Sequence, residues 1–155
     1  MRLNEILVPE AVTTELRATT AEEAISELSA LLCDAIDCHD SGTMVKLLLE
    51  REELGSTAVG HGVALPHARI LNLDGFHVAV GISEKGVDFH AANHDESQIV
   101  ILLVGPMEGS SLYLKALARI ARLARDDSLR ARLLRCKSSE EAVTAIHDAE
   151  AKFLS

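Results

Sequence analysis

The residues best suited to chemistry lie between Arg51 and Arg69, a stretch that reads REELGSTAVGHGVALPHAR. It holds a guanidinium at Arg51, hydroxyls at Ser56 and Thr57, glycines at 60 and 62 on either side of His61, and the pair Pro66-His67. Glycine lets a ligand approach bare backbone, and a proline holds the residue before it extended, so the spacing presents His67 at a strand end. An imidazole changes charge near neutral pH and serves there as a nucleophile or an acid–base group. Arg51 is a planar fork that matches phosphate oxygens in a way a lysine cannot. The hydroxyls and the backbone amides of the Gly60 to Gly62 turn can add donors, so the set suits an anionic group brought to His67. Plainer readings stand beside these. A cation is favoured at a helix end whatever its function, which covers Arg51; Ser56 and Thr57 can be turn residues only; His61 either lines the site or faces solvent.

Other chemistries fit less well. Gly55 to Gly60 is not followed by Lys-Ser/Thr, and Gly-x-Ser-x-Gly does not occur, which excludes a Walker-type loop and a serine nucleophile elbow. His90 and His94 stand four apart with Asp88 and Asp95 beside them, but in a predicted loop rather than on one helix face, so no metal is expected there. His39, His77 and His147 are scattered.

The elements that must hold His67 can be read from periodicity and punctuation. Ile6 to Val8 before Pro9, then Val12-Thr13-Thr14, suggest a short strand. Thr20 and Glu23 form a capping box ahead of Ala24, Ile25, Leu28, Leu31, Leu32 and Ala35, which predicts a helix over 21–36. Cys38-His39-Asp40-Ser41-Gly42 is turn chemistry, and a second helix from about Met44 ends near Leu54-Gly55, delivering Arg51 to the site. Beyond His67, Asn72 to Gly75 is a turn, Phe76 to Ile82 a strand, and Glu84-Lys85-Gly86 a hairpin-like turn. Ser97 to Val104 is the apolar run of a strand buried on both faces, and so the central one, with Gly105-Pro106 as its stop. Ser110 or Ser111 is placed to cap a long helix with Leu114, Leu117, Ala118, Ile120, Ala121 and Ala124 as its apolar stripe. Asp126-Asp127-Ser128 breaks that helix, a short helix through Leu129, Leu133 and Leu134 follows, and Ser138 with Glu141 opens a last one. Helices on both sides of a mixed β-sheet make the expected fold an α/β sandwich.

Composition bounds the rest. A chain of 155 residues fits a single domain, 1–155, and with 48% hydrophobic residues, 3% aromatic and no Trp its core must be aliphatic. The apolar runs fall well short of the ~20 residues of a membrane span, and the amino terminus lacks the pattern of a signal peptide, so a cytoplasmic protein without membrane insertion is expected. Cys33, Cys38 and Cys136 have no metal spacing and read as reduced. The net charge of −9 disfavours nucleic acid. Lys115 to Lys137 nevertheless holds eight basic and two acidic side chains, a net of +6 that leaves −15 on the remainder. That run reads as a solvated helix face rather than a docking surface.

The run from Arg51 to His67 resembles the phosphorylation-site signature of enzyme IIA domains of the bacterial phosphoenolpyruvate-dependent sugar phosphotransferase system, of the fructose/mannitol type that includes the nitrogen-regulatory branch. Arg51, Glu52, Ser56, Thr57, Gly60, Gly62, Pro66 and His67 agree with it, eight positions at fixed spacing. The resemblance implies a mixed sheet flanked by helices on both sides, and a phosphohistidine carrier with no cofactor and no metal. His67 would accept a phosphoryl group from an HPr-like histidine phosphocarrier protein, with Arg51, Ser56 and Thr57 around it. Members usually carry a second active-site histidine in a His-Leu-x-x-Leu pattern at the start of the long helix. Here that run is Tyr113-Leu114-Lys115-Ala116-Leu117, so Tyr113 occupies the histidine's position. The chain resembles the nitrogen-regulatory branch most. A sugar-specific component that donates to a IIB cysteine, and a non-phosphorylated module that docks on a regulatory target protein, are the alternatives.

Overall fold

The computed structural model describes residues 1–38 and 40–154; His39, part of the turn chemistry read above, lies outside the described residues. In chain order come α1 (Leu3–Ile6), β1 (Leu7–Thr13), α2 (Ala21–Ile36), α3 (Ser41–Leu54), β2 (Ala58–Gly60), β3 (Val63–Ala64), β4 (His67–Ile70), β5 (His77–Val87), β6 (Ser97–Pro106), α4 (Ser110–Ala124), α5 (Asp127–Arg135) and α6 (Ser139–Leu154). The sheet is mixed, in the order β1-β5-β6-β3-β2, with β4 also on β6. β6 is central as expected. It runs antiparallel to β5 and parallel to both β3 and β4, which follow one another along its other edge.

Alternation along β6 divides the core. Ile99, Ile101 and Leu103 face α1 and α4 to α6, whereas Val100, Leu102 and Val104 face α2 and α3. Each of these side chains is buried, and complete burial of one contributes roughly 1.5–3 kcal/mol before entropy is counted. Helices therefore cover both faces, and the aliphatic strand is the layer they share.

Local signals place several elements. The capping box of α2 is reciprocal: Glu23 N–H donates to Thr20 Oγ1 at 3.2 Å, and Thr20 N–H to the Glu23 carboxylate at 3.2 Å. Asp40 caps α3, accepting from Thr43 N–H at 2.9 Å, and Asp126 caps α5. At the last helix Ser138 Oγ accepts from Glu141 N–H, but the Glu141 carboxylate reaches Lys137 N–H rather than Ser138.

Four readings need correction. Glu84-Lys85-Gly86 is not a turn between strands but a bulge within β5: the register with β6 slips between Ile82 and Val87, Ser83 Oγ accepts from Gly86 N–H, and pairing resumes at Val87 with Ser97. Gly105-Pro106 does not lie beyond β6 but forms its last two residues, both still paired with β4. Neither Ser110 nor Ser111 caps α4; Gly109, in left-handed conformation, stands at that end with no side-chain cap. The apolar stripe of α4 holds at Leu117, Ile120, Ala121 and Ala124 but not at Leu114 and Ala118, which are exposed. Tyr113, Ala116 and Leu123 are buried beside Ile120 and Ala124, since the face turned to the sheet is set by packing against β6 and Phe76. The basic run on α4 and α5 has local partners, Arg119 with Glu150, Arg130 with Asp127 and Arg132 with Asp148.

Candidate functional site

His67 opens β4 and sits opposite Leu103 of β6. The step that brings it there is Leu65-Pro66: Pro66 lacks an N–H, yet its carbonyl accepts from Leu103 N–H at 3.0 Å, which carries the strand across the gap between β3 and β4. The Leu65 carbonyl turns back onto the imidazole, 2.6 Å from Nδ1. A carbonyl oxygen only accepts, so Nδ1 bears the hydrogen and Nε2 keeps the lone pair. Burial is the main cause of a His67 pKa below the ordinary imidazole value; the Arg51 cation adds to the depression, and the Leu65 bond and the Glu52 carboxylate oppose it. The ring is therefore neutral at pH 7, in one tautomer, with Nε2 nucleophilic.

One side chain meets this ring, and two arginines bear on it or on that neighbour. Tyr113, from the first turn of α4, has its ring centroid 6.2 Å from that of His67, tilted by 54°. Resemblance alone implied that neighbour. Arg69 lies two residues along β4 from His67, and its guanidinium carbon stands 5.8 Å from the centroid of the Tyr113 ring. Its Nε donates to the Pro106 carbonyl at 3.4 Å, holding the head at the end of β6. Arg51 reaches the site electrostatically, since its charge bears on both His67 and Tyr113. Burial pushes the Tyr113 phenol up to about 12 despite both arginines. The group is an O–H donor at any physiological pH.

Gly105 makes the packing of Tyr113 possible. A Cβ at this position would lie 2.7 Å from Phe76, closer than carbon atoms pack, and in a tight 3.2 Å contact with Tyr113. The two rings, 6.5 Å apart, press against bare backbone.

The end of α3 and the start of β2 are built differently. Arg51 Nη1 donates to the Gly55 carbonyl at 2.9 Å, bracing the helix end. The Glu52 carboxylate accepts from Thr57 N–H at 3.1 Å and from Thr57 Oγ1. Ser56 Oγ donates to the Phe89 carbonyl and accepts from Ala58 N–H at 3.1 Å. Thr57 is buried. Both hydroxyls are thus engaged in holding the corner that carries Arg51. The Gly60–His61–Gly62 turn is left-handed at all three residues, and the Gly62 carbonyl accepts from Gln98 and Ile99 N–H at the start of β6. The structure does not bring this turn to His67: β3 begins opposite Ile99 and β4 opposite Leu103, roughly 13 Å apart at strand rise. His61 is exposed on it. His90 and His94 lie in the loop between β5 and β6, each with left-handed backbone, and His77 hydrogen-bonds the Asp74 carbonyl at 2.7 Å.

Sequence reasoning assigned no part to Arg69 or to Gly105. A signal for Arg69 existed, because the period of two along a strand puts residues 67 and 69 on one face. Gly105 offered none, as its role depends on Phe76 and Tyr113 arriving from distant parts of the chain. The arrangement assembles one neutral imidazole nitrogen, two arginines and a phenol, which can receive a phosphoryl-sized anion and carry it on a nitrogen.

The family model described as "Phosphoenolpyruvate-dependent sugar phosphotransferase system, EIIA 2" matches residues 5–149. The chain is 32% identical over 146 residues to a nitrogen regulatory protein of Bradyrhizobium diazoefficiens, covering 94% of each. The crystal structure of the nitrogen regulatory protein IIA-Ntr from Neisseria meningitidis superposes with a TM-score of 0.85 at 24% identity, covering 93% of this chain and 98% of that one. Mannitol enzyme IIA of Escherichia coli, solved in complex with phosphorylated enzyme IIB, superposes with a TM-score of 0.73 at 20% identity, covering 90% and 95%. These two structural likenesses speak to the fold. Among the described residues, no helix is long and apolar enough to cross a membrane.

Proposed function

The chain belongs to the EIIA 2 family of the phosphoenolpyruvate-dependent sugar phosphotransferase system, and from that premise we propose that it is a single-domain phosphohistidine carrier with its phosphoryl group on Nε2 of His67. Nε2 attacks the phosphorus of a phosphohistidine on an HPr-like carrier protein; the new N–P bond forms as the carrier's N–P bond breaks, and the carrier leaves with its lone pair restored. Arg51, Arg69 and the Tyr113 hydroxyl face the charge spread over the equatorial oxygens. Donor and acceptor are both imidazole nitrogens, so the exchange is near thermoneutral. The Leu65 carbonyl holds the Nδ1 hydrogen throughout, which keeps Nε2 basic before transfer and the ring oriented after it. Ser56 and Thr57 contribute by positioning the Arg51 corner. The observation that carries this reading is the 2.6 Å contact of Nδ1 with the Leu65 carbonyl, beside Tyr113 and the two arginines.

The likeness to a nitrogen regulatory protein along 94% of both chains supports a regulatory output, in which phosphorylated and free forms differ in their affinity for a target protein. The mannitol IIA–IIB complex on the same fold favours a second reading, onward transfer to a IIB cysteine. Incubation with phosphoenolpyruvate, enzyme I and the carrier, followed by intact-mass measurement and phosphorus–nitrogen NMR, is expected to show one acid-labile phosphoryl group on Nε2 of His67. No added mass, or a label on another residue or on Nδ1, would defeat the assignment. Adding a IIB protein then separates the two outputs by whether the label moves to it.

A further inference from the structure

We propose that Cys33 and Cys38 form a reversible intramolecular disulfide, a thiol modification site at the carboxy-terminal end of α2 that stands apart from the His67 chemistry. α2 ends on Asp37 in left-handed conformation, φ 56° and ψ 43°. The amides of Asp37 and Cys38 both donate to the Cys33 carbonyl, the latter at 2.9 Å. In a helix end closed this way, the side chain of the residue giving the carbonyl meets that of the residue after the left-handed one, normally as an apolar contact. Here both positions are cysteines, and both pack on the same side of the sheet, against the core under α2 and α3. The backbone closure thus holds the two cysteines side by side, as a disulfide requires.

Their environments differ in a way that assigns the steps. Cys33 is buried, its Sγ 4.0 Å from Met44 Sδ, and burial together with Cys38 pushes its thiol up to about 12. Cys38 is half-buried and lines a surface cavity with Thr43, Met44, Ile70 and Leu73. Cys38 is therefore the thiol an oxidant reaches, and Cys33 the one that resolves. With a peroxide as oxidant, the Cys38 thiolate attacks one peroxide oxygen. The S–O bond forms, the O–O bond breaks, and the leaving hydroxide takes up the thiol's proton as water. Cys33 then gives up its proton and attacks the Cys38 sulfur; the S–S bond forms, the S–O bond breaks, and a second water leaves. Two thiols have lost two hydrogens and the peroxide has become two waters. The high pKa of Cys33 makes the second step speed up as pH rises. Cys136 packs against the core on the opposite face of the sheet and serves as an internal control.

The test uses the full chain, treated with hydrogen peroxide and blocked with N-ethylmaleimide under denaturing conditions, then read by intact mass and peptide mapping. The expected result is a loss of two hydrogens, a single maleimide adduct on Cys136, a linked Cys33–Cys38 peptide, and three adducts again after dithiothreitol. Cys136→Ser should form the same link, and Cys33→Ser should instead accumulate a sulfenic acid on Cys38 that dimedone traps. Three adducts after oxidation of the native chain, a linked peptide containing Cys136, or a Cys38 sulfinic acid without the linked peptide would overturn the proposal.

Discussion

The corner from Arg51 to Ala58 and the strand start from Leu65 to Arg69 contribute neighbouring parts of one site, yet they treat their polar groups in opposite ways. At the corner, hydroxyls and carboxylate are turned inward: Thr57 on Glu52, Ser56 on the Phe89 carbonyl. At the strand start one nitrogen of His67 is tied down and the other kept, and Arg69 is anchored through Nε while its guanidinium carbon stands over Tyr113. The difference teaches that a run of matching residues can hold both a frame and a reactive centre, and that residue type does not tell them apart. Serine and threonine hydroxyls are as able to meet a phosphate as an imidazole is; their committed hydrogen bonds assign them to the frame.

Variants can break or sharpen this contrast. The largest effect is expected at His67→Ala, which should abolish phosphoryl gain in the mass assay while thermal unfolding shifts by no more than about 1 kcal/mol, since a half-buried side chain at a strand start contributes little packing. Residual labelling of the variant would move the reactive centre elsewhere.

Arg51→Lys and Arg69→Ala come next. Each should lower the transfer rate roughly tenfold to a thousandfold, the scale of one preorganised donor, with unfolding by urea nearly unchanged. Wild-type transfer kinetics for either variant would return that arginine to the surface.

Tyr113→Phe should slow transfer by up to about tenfold, equivalent to the ~1 kcal/mol of one neutral hydrogen bond. Native transfer should stay level from mildly alkaline pH down to the ordinary imidazole value of 6.5 and fall only below it, because burial holds His67 neutral to a lower pH. Tyr113→His should match or exceed the native rate and add a dependence between about pH 6 and 7.5, as a second imidazole titrates there. If both variants follow the native profile, the phenol takes no part in holding the phosphoryl group.

The smallest effect on transfer is expected at Thr57→Val, within about threefold, but this variant should lose roughly 1–3 kcal/mol of stability because Glu52 keeps its carboxylate without the hydroxyl donor. Unfolding and transfer measured on the same sample check it. A large loss of transfer with unchanged stability would put Thr57 on the reactive side of the contrast.

The sequence by itself determined what short-range chemistry decides. Thr20 with Glu23 forms a cap within one turn of chain. The aliphatic run Ser97 to Val104 carries enough apolar surface to demand cover on both faces, and Pro66 ahead of His67 fixes where the last strand segment of the motif begins. These depend on neighbours a few residues away, so spacing reports them. The tertiary structure alone decided how the first turn of α4 sits, burying Tyr113 and leaving Leu114 in solvent, and that β5 bulges at Glu84 to Gly86 instead of ending there. It also set the Gly60–Gly62 turn far from His67 while bringing Tyr113, packed on Gly105, close to it. Those outcomes depend on the order of strands around β6. That order follows from how two helical layers cover one sheet, and no local run of residues encodes it.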